Sequence, residues 1–420
     1  MKRKELTTAQ LHSLLESAQL INSTLNLDEL LTIIMKEITK NLDTERSTLY
    51  IVDKEKNEIW SKIAQGDIHL TIRQQIGEGI SGYVARTGEV LNIADAYTDP
   101  RFNPEVDRKT GYRTRSVLCM PVRDKSGEII AVVQTLNKKN GSFTLEDRIF
   151  LEAFCEYIAV AIQNARLYQE ALERKKLESE MAVAGEIQRL LLPAAVPTLP
   201  GYEVFAFQEP SRKIGGDYYD FFLRDDQFLF LLADVSGKGI PAALLMANLQ
   251  ATARHHVEMG KSNVEIVSCI NQHLHSITST DKYATLFWAT LDLKSHLIRY
   301  TNAGHIPPLL ISPQRDPAEI KALEEGGIPV GFMSQFPYIQ KEVGMQPDDI
   351  LVICSDGITE AQNKRGQMFE TERLKNIVIR HASKRAGQIG EKILQRVKTF
   401  SRNGSGEDDI TLLIIKRLID

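Results

Sequence analysis

Phe228-Leu229-Phe230-Leu231-Leu232-Ala233-Asp234-Val235-Ser236-Gly237-Lys238-Gly239 decides how the C-terminal half of the chain folds. Six apolar residues in succession read as a buried strand, and Asp234 stands where that strand ends. The glycines around Lys238 make a tight turn. Pro241, ahead of Ala242-Ala243-Leu244-Leu245-Met246, then opens a helix at the position where its missing N–H costs nothing.

The same arrangement of apolar run and acid recurs. Ile350-Leu351-Val352-Ile353-Cys354 delivers Ser355-Asp356-Gly357, and Asp408-Asp409 immediately precedes the strand Ile410–Ile415. Upstream lies Gly215-Gly216-Asp217, where two glycines let the backbone approach closely before an acidic side chain. Each of these alone has an ordinary explanation, since Asp-Gly is a common turn and acids flank many strands. Together they offer several hard oxygen ligands with no His or Cys cluster. That donor set suits Mg²⁺ or Mn²⁺ and disfavours zinc. A pair of such ions lowers the pKa of a bridging water and holds it in line with a phosphate.

Read in order, these residues resemble a known family. Ala184-Gly185-Glu186-Ile187-Gln188 through Leu191-Leu192-Pro193, Gly215–Asp217, Asp234–Gly239, Tyr283–Phe287, Ala303-Gly304-His305-Ile306-Pro307-Pro308, Gly327–Gly331, Ser355–Ala361 and Asp408–Thr411 look like successive motifs of the metal-dependent PPM phosphatases of the sporulation stage II protein E type. The resemblance covers roughly 184–420. It implies an αββα sandwich that uses two Mn²⁺ or Mg²⁺ ions against phosphoserine or phosphothreonine. It also implies roles: Asp234 bridges both metals, the Val235 carbonyl completes one shell, Asp356 and Asp408 hold the second ion, and Asp217 serves the first. Asp408 is chosen over Asp409 only because the family places the ligand first. The phosphate-binding Arg of eukaryotic members has no counterpart. Lys238 is one substitute, although a Lys in a glycine-flanked turn is ordinarily just solvated. His305 reads either as a general acid or as a structural hydrogen-bonding residue, and His255-His256 suggests nothing special.

Working back from this half, helical periodicity runs from Phe143-Thr144-Leu145-Glu146-Asp147, with Thr144 as a cap, nearly without Gly or Pro to Leu192. Ile158, Ile162, Ala165, Gln169 and Leu172 are spaced 4-3-4-3, as are Leu177, Met181, Ala184, Gln188 and Leu191. Both stretches resemble coiled-coil seams with a phase slip between them, although a plain surface helix explains them equally. Pro193, Pro197 and Pro200-Gly201 end the helix.

Farther back, Arg46–Asn137 alternates short β-type runs with Gly, Asp and Pro turns. Two amphipathic helices precede it, one carrying Leu11, Leu14, Leu15, Ala18 and Ile21, the other starting around Asn26. Residues 25–165 resemble a GAF domain, through Gly77–Gly82, Asn92–Phe102 and Ser116–Val122. The likeness is to the GAF domains of cyclic-nucleotide phosphodiesterases and adenylate cyclases, which implies cyclic AMP or cyclic GMP as a ligand to test, against an unliganded dimerisation module or another small ligand. Their signature is matched by Asn137, Lys138, Phe143 and Asp147, with Arg148 in place of Glu. Lys138–Asp147 is expected to be an exposed ion pair of small energy that clasps the pocket. Gly77–Gly82 also fits Gly-x-Gly-x-x-Gly, but Ile72–Ile76 before it does not read as a buried strand of a parallel unit, so a dinucleotide site is rejected.

The expected organisation is α+β multidomain: an N-terminal helix (1–24), a GAF sensor with a central antiparallel sheet (25–164), a helical or coiled-coil linker (165–193) and a phosphatase sandwich (194–420). A length of 420 residues suits at least two cores. The net charge of −4 recommends neither nucleic acid nor an anionic membrane as partner. No apolar run is long enough for a membrane helix, and the basic start Met1–Glu5 lacks the apolar stretch of a signal peptide. Cys119, Cys155, Cys269 and Cys354 are widely spaced, as in a reducing cytoplasm. The expected function is dephosphorylation of a regulatory phosphoprotein of anti-anti-sigma type by a homodimer under GAF control. The alternative is a catalytically silent ligand-sensing scaffold.

Overall fold

The computed structural model describes residues 8–21, 23–65, 68–278, 282–401 and 408–419; Met1–Glu5 lies outside them. The chain divides into two compact units between Lys176 and Leu177.

The first unit comprises α1 (Thr8–Ile21), α2 (Leu27–Asn41), β1 (Thr44–Asp53), β2 (Glu58–Gln65), β3 (Ile68–Gln75), α3 (Gly79–Thr87), β4 (Leu91–Ile93), α4 (Glu105–Thr110), β5 (Val117–Arg123), β6 (Ile129–Lys138) and the start of α5 (Leu145–Leu191). Asn26 caps α2 by accepting from the Asp28 and Glu29 amides. The sheet order is β3-β2-β1-β6-β5-β4, and every pair is antiparallel. Alternation along the strands gives the sheet two apolar faces. Leu49, Ile51, Met120 and Val133 meet α1, α2 and α5 on one; Tyr50, Val52, Cys119 and Val132 meet α3 on the other.

Two expectations change here. A strand, β3, does precede the Gly77–Gly82 motif, but it is an antiparallel edge strand, so the dinucleotide reading still fails for want of a parallel unit. Ile158, Ile162 and Ala165 are buried in the unit's own core, so the first stripe of α5 is not an open coiled-coil seam.

The second unit continues α5 and adds β7 (Tyr202–Glu209), β8 (Tyr218–Arg224), β9 (Gln227–Val235), α6 (Ile240–Glu258), α7 (Asn263–Ile277), β10 (Ala284–Asp292), β11 (Leu297–Ala303), β12 (Leu309–Ser312), β13 (Glu319–Ala322), β14 (Gly326–Gly327), β15 (Lys341–Gly344), β16 (Ile350–Cys354), α8 (Asp356–Thr359), α9 (Glu370–Arg380), α10 (Ala386–Phe400) and β17 (Ile410–Arg417). One sheet runs β14-β11-β10-β9-β8, with β15 also on β11; the other runs β13-β12-β16-β17-β7.

Their facing sides share one core, in which Phe228, Phe230, Leu232 and Phe287 interleave with Leu351, Ile353, Leu413 and Ile415. The outer face of the first sheet is covered by α6 and α7, that of the second by α9 and α10. Strands buried on both faces explain why β9, β16 and β17 read as unbroken apolar runs. The result is an αββα sandwich. Among the described residues no helix is long and apolar enough to cross a membrane.

Candidate active site

Each sheet of the sandwich delivers two of the expected acids. Asp217 enters β8 and Asp234 closes β9 in the first sheet; Asp356 follows β16 and Asp408 precedes β17 in the second. In the β9–β10 ladder Asp234 lies opposite Thr285. Asp217 is buried, and its carboxylate accepts a hydrogen bond from Thr411 Oγ1, which ties the two sheets together.

Crowding of like charge is the dominant electrostatic feature. Burial, then Asp234, drives the Asp217 carboxyl well above its usual range. Asp234 is pushed up to about 7 by burial and by Asp356, Asp408 and Asp409, and Asp356 to about 6 by burial, Asp408 and Glu360. Carboxylates crowded in this way favour either a shared proton or a cation. Among the described residues no group of three or more acidic, His or Cys side chains lies close enough to hold a metal ion as placed.

The neighbouring pair Asp408-Asp409, which the sequence leaves ambiguous, divides clearly. Asp409 is buried and fully engaged: Oδ1 accepts from the Ser211 amide at 2.8 Å and its hydroxyl at 2.9 Å, and Oδ2 from the Gly216 amide at 2.7 Å. Asp408 is 42% exposed and pairs with Lys238 Nζ at 3.1 Å. Lys238 is therefore not merely solvated; it answers the charge of one acid.

The loop that carries Asp217 is held from several sides. Gln188 of α5 grips Gly215 twice, its Nε2 donating to the Gly215 carbonyl at 2.7 Å and its Oε1 accepting from the Gly215 amide at 3.1 Å. A Cβ on Gly215 would lie 2.3 Å from Asp409 Oδ2, and one on Gly216 2.9 Å from the Val235 carbonyl. Those close approaches explain the paired glycines, and they place the Val235 carbonyl against the Asp217 loop. Gly357 is required similarly, because its Cβ would meet the Asp409 carbonyl at 2.1 Å. His305 is buried, shares a 2.8 Å hydrogen bond with Thr285 through Nδ1, and is pushed down to about 4 by burial. Burial favours its neutral form at neutral pH.

In the first unit, a cavity of about 60 Å³ lies on the α3 side of the sheet, lined by Thr48, Tyr50, Gln74, Ser81, Asp107, Thr114 and Gln134 among others. None of Asn137, Lys138, Phe143 and Asp147 lines it. Asn137 instead supports the wall: its Nδ2 donates to Tyr112 Oη at 2.9 Å and to the Arg113 carbonyl, and its Oδ1 accepts from the Arg115 amide at 2.6 Å. Lys138 and Asp147 do pair, at 2.8 Å, but with side chains 15% and 13% exposed. The expectation of an exposed pair is corrected: Lys138 also donates to the Leu42 carbonyl and Asp147 accepts from the Thr144 amide, so the pair staples α2, β6 and the start of α5 together. Phe143 is core.

The comparisons with known proteins fit this geometry. The sequence model of stage II sporulation protein E matches residues 224–418, and that of the GAF domain matches 26–162. The chain is 28% identical to phosphoserine phosphatase RsbU of Bacillus subtilis over 269 residues, 62% of this chain and 78% of that one. Its N-terminal part is 36% identical over 174 residues to the probable 3',5'-cyclic phosphodiesterase pde-5 of Caenorhabditis elegans, 39% of this chain but 23% of that protein. The chain thus spans under a quarter of that phosphodiesterase. Among solved structures, the PP2C domain of SiaA from Pseudomonas aeruginosa matches with a TM-score of 0.53 at 23% identity, over 60% of this chain and all of that domain, a likeness of fold. The organisation these comparisons show is a GAF domain followed by a phosphatase domain of the stage II sporulation protein E type.

Proposed function

We propose that the second unit hydrolyses phosphoserine or phosphothreonine on a regulatory phosphoprotein of anti-anti-sigma type, and that the GAF unit makes this turnover responsive to a small molecule. The observation that carries the reading is the convergence of two acids from each sheet, where burial and mutual repulsion raise the carboxyls of Asp217, Asp234 and Asp356. The donor set is all oxygen, which fits Mg²⁺ or Mn²⁺. Asp217, Asp234, the Val235 carbonyl, Asp356 and Asp408 would hold two such ions. When bound, they would supply an activated water and neutralise charge on the phosphoryl group.

The chain's own residues do the rest. Asp409 fixes the Gly216 amide and with it the approach of Asp217. Thr411 orients the Asp217 carboxylate, and Ser355 accepts from the Thr411 amide at 2.9 Å, tying the Asp356 turn to the same strand end. Lys238 supplies positive charge beside Asp408. The name phosphoserine phosphatase borne by the Bacillus subtilis relative supports the substrate class.

Turnover of a small aryl phosphate, abolished by chelator and restored by Mn²⁺, is the expected result. Asp356→Asn should lose at least about a hundredfold in turnover while remaining folded; equal rates in mutant and wild type would refute the site. A protein that binds Mn²⁺ yet hydrolyses neither aryl phosphate nor phosphoprotein would establish the scaffold reading instead. Cyclic AMP and cyclic GMP are the first effectors to test. The likeness to phosphodiesterase GAF domains supports them, although the cavity is well below the roughly 300–1,000 Å³ of small-molecule sites and must open to admit a nucleotide. A homodimer is supported by Leu11 and Leu15 on α1 and Leu167 and Leu172 on α5, all large, apolar and exposed; a monomer in sedimentation at micromolar concentration would remove it. Three buried cysteines and one half-buried one, all unbridged, support a cytoplasmic placement.

A further inference from the structure

Positive charge is concentrated on one outer face of the phosphatase unit. Between Glu370 and Ser401, α9 and α10 with their connection carry eight Lys and Arg against three Glu, in a chain whose overall balance is −4. Lys375 pairs with Glu372 and Lys398 with Glu209, both at 2.7 Å, and Arg385 approaches Glu203 at 3.8 Å. Arg380 and Arg396 are exposed and meet no carboxylate among the described residues. The field they make is felt by His381, which partial desolvation and then Lys384, Lys392, Arg380 and Arg396 hold below its usual pKa.

These two arginines line a groove of about 360 Å³ together with Arg373, Asn376 and Phe400. Its floor is fixed. Arg373 donates to the Met368 and Phe369 carbonyls and lies 5.0 Å over the Phe400 ring, which packs edge-on against buried Phe369 at 5.4 Å. Arginine and aromatic side chains on a rigid base are the usual anchors of protein recognition. All three arginines are exposed rather than buried, which suits a protein surface better than an enclosed small molecule.

The helices that form the groove lie between Asp356 and Asp408 in the chain. α9 is reached from Asp356 through α8 and the Ala361–Phe369 turn, closed by the Phe369 amide on the Ala361 carbonyl at 2.9 Å, and α10 leads on to Asp408. The active site is itself a cluster of carboxylates, so it does little to attract an anionic phosphoprotein from a distance. A cationic surface on the same unit would steer such a substrate.

We propose that the α9–α10 groove docks an acidic segment of the phosphoprotein substrate through Arg373, Arg380 and Arg396, apart from the acids that act on the phosphoryl group. This rests on the phosphatase reading above. The guanidinium groups would take glutamate or aspartate carboxylates in forked pairs, with Phe400 supplying apolar contact.

The test uses the full chain with Mn²⁺ and three substrates: a phosphoserine peptide flanked by glutamates, one of equal length flanked by serine and glycine, and a small aryl phosphate. The wild type should favour the acidic peptide in kcat/KM by about fivefold at low salt, with the preference fading towards about 0.5 M salt. The double variant Arg380→Glu/Arg396→Glu should lose that preference while aryl phosphate turnover stays unchanged; should it melt early, Arg380→Gln/Arg396→Gln replaces it. An undiminished acidic preference in a folded variant with intact aryl phosphate turnover overturns the proposal. If the wild type turns over neither aryl phosphate nor either phosphopeptide, the phosphatase reading fails, and anisotropy of a labelled acidic peptide decides docking separately. Weaker binding to the variant supports the groove, and equal or absent binding to both refutes it.

Discussion

Replacing Asp409 by Asn tests whether this residue shapes the active site without touching what the site binds. The native carboxylate accepts three hydrogen bonds, two from Ser211 and one from the Gly216 amide at 2.7 Å. Asparagine has one acceptor oxygen. Its better orientation keeps that oxygen towards Ser211 and turns the amide NH₂ onto the Gly216 N–H, donor against donor in a buried place. One charge-assisted bond is lost and one buried donor is left unpaired, a cost of about 1.5–3 kcal/mol. That cost falls on the conformation that presents Asp217. Removing the negative charge also weakens the pull of the cluster on a cation, so both effects have the same sign. At about 1.4 kcal/mol per tenfold, the Mn²⁺ concentration for half-maximal turnover should rise by roughly 10- to 100-fold, the range seen when a supporting partner of a metal ligand is removed. The assay is a Mn²⁺ titration of aryl phosphate turnover. Saturating Mn²⁺ should restore most of the Asp409→Asn rate but not that of Asp408→Asn. The reverse pattern, with Asp409→Asn dead and Asp408→Asn rescued, would refute the assignment.

Two further outcomes are expected. Asp234 and Asp356 titrate near about 7 and about 6 when folded, against an ordinary 3.8, so with chelator present the native state holds protons that the unfolded chain has already released. Stability then falls as pH rises from about 4 through about 7, and the raised Asp217 carboxyl acts in the same direction. Melting scans should show this, and saturating Mn²⁺ should remove the decline; stability rising through that window with chelator would contradict the crowding. In the first unit, Asp147→Ala strands a largely buried Lys138 and removes the acceptor for the Thr144 amide. A loss of about 3–5 kcal/mol in urea unfolding of that unit is expected, and less than about 1 kcal/mol would show that the pair behaves as a surface bridge after all.

Much of the second unit was legible because its strands are buried on both faces: β9, β16 and β17 each appear as an apolar run with an acid at one end. The αββα layering follows once the intervening helices are placed. What could not be read was which neighbour of an acidic pair faces which partner. Asp408 and Asp409 differ only in what reaches them, and the donors to Asp409, Ser211 and Gly216, lie about two hundred residues away in the chain. The exposure of Lys138–Asp147 was misjudged for a similar reason, since the Leu42 carbonyl that helps enclose Lys138 comes from the end of another helix. The GAF cavity escaped because a sheet face takes every second residue from strands far apart, so Thr48, Tyr50, Gln74 and Gln134 make no local pattern. Gln188 stands in the sequence as one residue of a longer motif, and its grip on Gly215 gives that position a physical reason.

The equal division of the acids, two from each sheet, makes any cation held there a rivet through both halves of the sandwich. Filling the site and consolidating the fold then become one equilibrium, and stability rises with free metal by mass action. Starving the protein of metal would leave it idle and, at the same time, easier to open and degrade. Slowed amide exchange in β8 and β9 and in β16 and β17 together, on addition of Mn²⁺, would be the mark of that coupling.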